Sequence, residues 1–168
     1  MKRLLSAVAA AAVLASLSVS PAAAQNRTVV NQSGFANATG IAQNGDDNGA
    51  VANQRGRRHY SRGVQEGYNN FLRMDQYGTR NSTTTTQVGV NNFSATGQEG
   101  RNLQADTIQT GRGNVAGVAQ IGNGSRALTD QDGSNNTSGI IQIGNGQDVE
   151  VRQRGSGNIS VVVQSGYN

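Results

Sequence analysis

Residues 109–119 read QTGRGNVAGVA, residues 131–141 read QDGSNNTSGII and residues 153–163 read QRGSGNISVVV. Each eleven-residue unit opens on Gln, places Gly two residues later and Asn three after that. It then alternates through a stretch rich in Val, Ile, Thr and Ser. The spacing runs along the chain without insertion or deletion. Thirteen glutamines fall on it: Gln32, Gln43, Gln54, Gln65, Gln76, Gln87, Gln98, Gln109, Gln120, Gln131, Gln142, Gln153 and Gln164. The matching glycines are Gly34, Gly45, Gly56, Gly67, Gly78, Gly89, Gly100, Gly111, Gly122, Gly133, Gly144, Gly155 and Gly166. A period held this strictly means that every unit folds alike and stacks on the next, as in a solenoid or fibre. An enzyme site needs unlike residues converging on one place, whereas this chain repeats one polar residue at every level.

With Gln counted as position 0, glycine at position 2 and Gly, Asn, Asp or Arg at positions 3 and 4 predict a tight turn with positive φ. The alternating stretch from position 6 to the next glutamine predicts a strand of six to seven residues. Positions 7, 9 and 11 point to one face. None of the 24 residues at positions 7 and 9 (Thr39 and Ile41 through Ser160 and Val162) is charged, although 14% charge overall would place about three there. That face is the interior, and it holds the glutamines. At position 5 a longer period emerges. Asn48, Asn70, Asn92, Asn114, Asn136 and Asn158 are all asparagine, while Asn37, His59, Asn81, Leu103, Ser125 and Gln147 between them vary. Two successive units are therefore inequivalent, and the predicted coil is strand–turn–strand–turn over 22 residues. Residues 32–163 supply six such coils, and residues 26–31 keep the same register.

These features predict an all-β, cross-β solenoid. A buried amide left unpaired costs roughly 1–3 kcal/mol, so the repeated Gln and Asn are expected to pair with identical residues above and below as structural ladders. The glycines are expected to make the turns. The terminal coils then carry unpaired backbone and amides, a template for another copy.

The N-terminus reads differently. Lys2 and Arg3, an apolar run over residues 4–19 and three alanines at 22–24 predict a cleaved export signal over residues 1–24, followed by a repeat domain over 25–168. No other segment is apolar enough to span a bilayer. Cysteine is absent, so no disulfide staples the exported chain. Leu, Ile, Val and Phe make up 26 of the 144 residues after position 24, a share found in disordered chains. The unbroken register and the absence of proline from that span oppose disorder. The same span carries 12 Arg and 10 acids and no Lys, spread along the chain except for Arg55, Arg57, Arg58 and Arg62.

No catalytic, cofactor-binding or metal-binding set emerges. His59 stands alone and reads as a tolerated turn residue. Asp46 and Asp47 lie in a turn without the repeating Gly and Asp pattern of calcium-binding rolls. The threonines at 83–86 do not recur outward on successive coils as an ice-binding array requires. The arginine cluster suits extracellular DNA or surface polysaccharide phosphates, or else acts as a charged gatekeeper against premature pairing. Tyr60, Phe71 and Phe93 fall on the outer face. Residues 158–166, NISVVVQSG, are uncharged and rich in β formers, the signature of a pairing segment.

The repeat resembles that of the curlin family, S-x5-Q-x-G-x-x-N-x-A-x3-Q. Ser125, Gln131, Gly133, Asn136 and Gln142 match it, with Ser138 in place of alanine, and Gln109, Gly111, Asn114, Ala116 and Gln120 match its second half throughout. The family serine occurs only at Ser125, and Leu72 and Val149 occupy the alanine position in two units. Nearly no chain separates the predicted cleavage site from the first unit, where relatives resembling the major subunit carry an export-targeting segment. The resemblance implies a non-enzymatic amyloid subunit of cell-surface fimbriae, secreted for adhesion and biofilm matrix. It also implies a homopolymer, a second curlin-type subunit and a dedicated outer-membrane secretion apparatus as partners. Two other classes compete with this reading. A monomeric secreted solenoid binding ice, glycan or DNA needs capped ends, and no amphipathic cap is visible in the sequence. A parallel β-helix enzyme needs inserted loops, which the unbroken period leaves no room for.

Overall fold

The computed structural model describes residues 25–166. The predicted export signal, residues 1–24, lies outside the described residues, as do positions 167 and 168. The described chain is a β-solenoid without helix. Its strands are β1 (Arg27–Phe35), β2 (Ala38–Asp46), β3 (Gly49–Arg57), β4 (Tyr60–Tyr68), β5 (Phe71–Thr79), β6 (Ser82–Val90), β7 (Phe93–Arg101), β8 (Gln104–Arg112), β9 (Val115–Asn123), β10 (Arg126–Ser134), β11 (Thr137–Asn145), β12 (Asp148–Ser156) and β13 (Ile159–Gly166). Odd-numbered strands form a seven-stranded parallel sheet and even-numbered strands a six-stranded one. Each strand pairs with the strand two further along, so Gln32 lies on Gln54 and Gln54 on Gln76. The coil therefore holds 22 residues, and seven levels at about 4.8 Å spacing make a rod some 29 Å tall between its first and last odd strands.

Alternation places each side chain. In β8, Ala105, Thr107 and Gln109 are buried while Gln104, Ile108 and Thr110 face out. The interior is a thin seam between the two sheets. Ala105, Val118, Ala127, Ile140, Val149 and Val151 form one apolar cluster, and Ala50, Ala52, Leu72 and Met74 form another. Bulk in one sheet is matched by its absence in the other. Leu72 fills the space over Gly63, where an added Cβ would lie only 3.0 Å from the leucine Cδ2.

The strands are longer than the alternation suggested. Nearly all hold nine residues, because pairing continues past the glutamine and through the glycine to position 3. The Q-x-G glycines thus lie within the strands, and the turn proper is only positions 4 and 5. These glycines still carry an unusual backbone, with φ of +116° at Gly34 and +133° at Gly122. From Gly34 to Gly144 each also lies against its equivalent one coil on, so that a Cβ at Gly122 would sit 1.8 Å from the Gly144 carbonyl oxygen. Position 4 makes the second left-handed step, at φ +56° for Asp47 and Arg58 and +55° for Asn135.

Candidate functional site

The glutamines form two columns through the interior, one per sheet. From Gln32 to Gln142, each side-chain Nε2 donates to the Oε1 of the glutamine one coil further on. The distance is 2.7 Å from Gln32 to Gln54, 2.9 Å from Gln76 to Gln98 and 2.7 Å from Gln120 to Gln142. The same bond links Gln43 to Gln65 and on through Gln87, Gln109 and Gln131 to Gln153. It lengthens to 3.5 Å only from Gln142 to Gln164. The second Nε2 hydrogen crosses the seam to a backbone carbonyl of the opposite sheet, such as Gln65 to Gly49 and Gln120 to Gln104, both at 3.0 Å. Ser61 and Thr83 hydroxyls add donations to Gln76 and Gln98 Oε1. A fully buried amide is thereby satisfied on both sides, and it ties the two sheets together.

The asparagine column is bonded otherwise. Asn48 Oδ1 accepts the backbone N–H of Asn70, Asn70 that of Asn92, and the relay runs on to Asn158. From Asn48 to Asn136 each Nδ2 reaches a glycine carbonyl of the next coil, as Asn48 does to Gly67 at 2.9 Å and Asn136 to Gly155 at 3.0 Å, whereas that of Asn158 reaches the Arg154 carbonyl. Side-chain amide pairs occur at Asn70 with Asn48 and at Asn158 with Asn136. This column staples turns to one another and does not form a pure amide ladder.

His59 occupies the other turn column and takes over the work of an asparagine. It is buried. Its Nδ1 accepts the backbone N–H of Asn81 at 3.3 Å, while Nε2 faces the Arg55 carbonyl at 3.2 Å. One acceptor nitrogen and one donor nitrogen define the neutral imidazole. Desolvation holds its pKa below the ordinary 6.5, partly offset by hydrogen bonds to the Arg55 and Gly78 carbonyls. From sequence alone it reads as a tolerated turn residue. The signal that finds its role is its place 22 residues from Asn37 and Asn81. At Leu103 the relay breaks for one level, since a leucine offers no acceptor, and it resumes where Ser125 Oγ accepts the backbone N–H of Gln147 at 3.3 Å. Among the described residues, six buried hydroxyls, on Thr85, Ser94, Thr96, Thr107, Thr129 and Ser138, have no hydrogen-bond partner.

The arginines of the 54–63 segment do not converge. Arg55 projects from the odd-strand sheet, Arg62 from the even-strand sheet, and Arg57 and Arg58 lie at the edge between them. Arg73 pairs with Asp75 at 2.7 Å and Arg152 with Glu150. Phe71 stacks on Phe93 along the outer face, ring centroids 5.6 Å apart. Among the described residues no group of three or more His, Asp and Glu could hold a metal ion, and no helix is long and apolar enough to cross a membrane.

What remains open is the two ends. At the first coil Gln32 is exposed and Gln43 half-buried. At the last coil Gln164 is half-buried and Asn158 exposed. Among the described residues, the edges of β1 and β2 at one end, and of β12 and β13 at the other, have no neighbouring strand. No curated protein and no solved structure matches the chain. The family model described as Curlin associated repeat matches residues 45–78, 100–128 and 125–154, more than half of the sequence. With its Q-x-G-x-x-N unit stacked in register at every level, the chain belongs to the curlin associated repeat family.

Proposed function

We propose that the protein is a secreted structural subunit that polymerises through its open ends into extracellular, curli-like amyloid fibres, serving adhesion and biofilm matrix. One observation carries the reading. The solenoid already is a short stretch of in-register parallel cross-β, and its hydrogen-bonded columns stop at each end without a cap among the described residues. Unpaired strand edges recruit further strands. The best template for a column of glutamines, glycines and asparagines at this spacing is the same column on another copy. This role involves no catalysis. A second repeat protein that starts the polymer and an outer-membrane export apparatus are the partners it calls for. A monomeric ligand-binding solenoid would need its ends covered, which makes polymerisation the deciding test. Purified residues 25–168, incubated at micromolar concentration, should form fibres that bind thioflavin T and diffract at about 4.8 Å along the fibre axis. A protein that stays monomeric for days would refute the proposal.

A further inference from the structure

The two ends of the rod are stepped, and the step is set by an odd number of strands. Each strand lies in the opposite sheet from its predecessor, so the climb of one level per coil is shared by its two strands, half a level each. At the C-terminal end β13 stands above β12, leaving a recess over β12 in the six-stranded sheet. At the N-terminal end β1 projects beyond β2 from the seven-stranded sheet. A projecting β1 fits the recess over β12 only after a half-turn about the axis. Resting on the fibre reading above, we propose that a second copy of this chain docks half a coil out of phase. Its β1 then lies on β12 and its β2 on β13, so that the two sheets trade odd and even strands at every joint. Straight stacking of β1 on β13 would leave a one-strand gap between β12 and the incoming β2, with their edges about 10 Å apart.

The residues at this joint continue the internal pattern. In-register pairing puts Gln153 against Gln32 of the incoming copy, Gly155 against its Gly34 and Gln164 against its Gln43. The glutamine columns are polar, since every Nε2 from Gln32 to Gln142 donates toward the C-terminal end. The C-terminal face therefore offers Gln153 and Gln164 amide donors, and the N-terminal face offers Gln32 and Gln43 oxygens. Glycine needs glycine here. Wherever the next coil is present, a Cβ would strike the neighbouring glycine carbonyl at about 2 Å, as at Gly133 against Gly155, while over Gly155 that position is open. On the outer surface the half-turn brings Asp148 beside Arg27 of the incoming copy. Straight stacking would set that arginine beside Ile159. Val161, 67% exposed and packed on Gly139, then meets Gly40 on its other side.

The chain has no cysteine, so a pair of introduced cysteines reads the joint directly. Asn31, Arg152 and Val163 all lie on outer-face positions of edge strands. Fibres of the Asn31→Cys, Arg152→Cys chain should oxidise into covalent ladders of dimer, trimer and longer species under non-reducing denaturation. Fibres of Asn31→Cys, Val163→Cys should stay monomeric. Should the variants themselves fail to assemble, the unsubstituted fibre gives the same answer by electron cryo-microscopy. It should show a rotation near a half-turn, on top of any gradual twist, for each rise of about 31 Å. The reverse crosslinking order, crosslinking in neither variant of a fibre that forms, or a rise of about 34 Å without the half-turn would overturn the joint and leave the fibre reading intact. Failure of the unsubstituted chain to polymerise would defeat the fibre reading itself.

Discussion

At the residue scale the glutamine is the decisive unit, because one substitution breaks three bonds. Gln120 accepts from Gln98, donates to Gln142 and donates to the Gln104 carbonyl. Gln120→Leu strands those three groups in a dry seam and should lower stability by about 3 kcal/mol. It should also slow seeded fibre growth, whereas Arg126→Ala, on the outer face, should change neither; equal effects from the two would refute the inward assignment. The glycines divide in the same way. Gly122→Ala meets the Gly144 carbonyl at 1.8 Å and should prevent folding of its coil. Gly124→Ala, at φ +70° with open space around it, should cost only about 1 kcal/mol. His59 supplies a pH signature. Its folded pKa lies below the unfolded value of 6.5, so the unfolded chain takes up the proton first as pH falls. Stability from this group is present above pH 6.5 and is lost as pH drops from there toward the folded pKa. Comparing urea midpoints at pH 7.5 and 5.5 should show a smaller loss for His59→Asn than for the unsubstituted chain.

At the element scale, the strand faces and the 22-residue coil were legible from the sequence, because charge avoids positions 7 and 9 and asparagine recurs on alternate units. The strand ends were not. Gly34 or Gly122 reads as a chain breaker, yet a glycine stacked on a glycine can twist to φ above +100° while its neighbours keep pairing. Only the third dimension reveals that the column has no room for a Cβ. The asparagines misled in a related way, because a side chain in a turn sees more backbone than amide, and their bonds went to N–H and carbonyl groups. Nothing in the alternation singles out the unpartnered hydroxyls, since threonine suits a strand whether or not its Oγ1 finds an acceptor. Thr107→Val keeps the branched shape and removes a buried orphan hydroxyl, so it should raise stability by about 1 kcal/mol in urea unfolding. Position 4 is uneven along the rod. Arg58 and Arg80 hold left-handed φ near +57° where Gly113, Gly124, Gly146 and Gly157 hold it without a Cβ. The C-terminal half therefore turns with less strain than the N-terminal half.

At the scale of the whole molecule, the last strand presents an uncharged row of exposed apolar side chains. Ile159, Val161 and Val163 on the last strand are 78%, 67% and 63% exposed, whereas their counterparts on β12 are Asp148, Glu150 and Arg152. That end should be the faster to capture copies. Charging it with Val161→Asp and Val163→Asp should slow seeded elongation while leaving the unfolding midpoint of the monomer nearly unchanged. A loss of monomer stability instead would place these side chains in the core. The route of the chain itself has a mechanical consequence. The strands lie across the rod and their backbone hydrogen bonds run along it, so a pull along the axis loads every bond of a level at once. Within one copy the backbone also climbs from level to level through the turns. A level that gives way there would pay out a slack loop of 22 residues, up to about 75 Å of tether, and the rod would stretch without parting. No chain crosses from one copy to the next. Under tension such a fibre would yield by unspooling inside its subunits and sever at its joints, with the break falling where only side chains and strand edges hold.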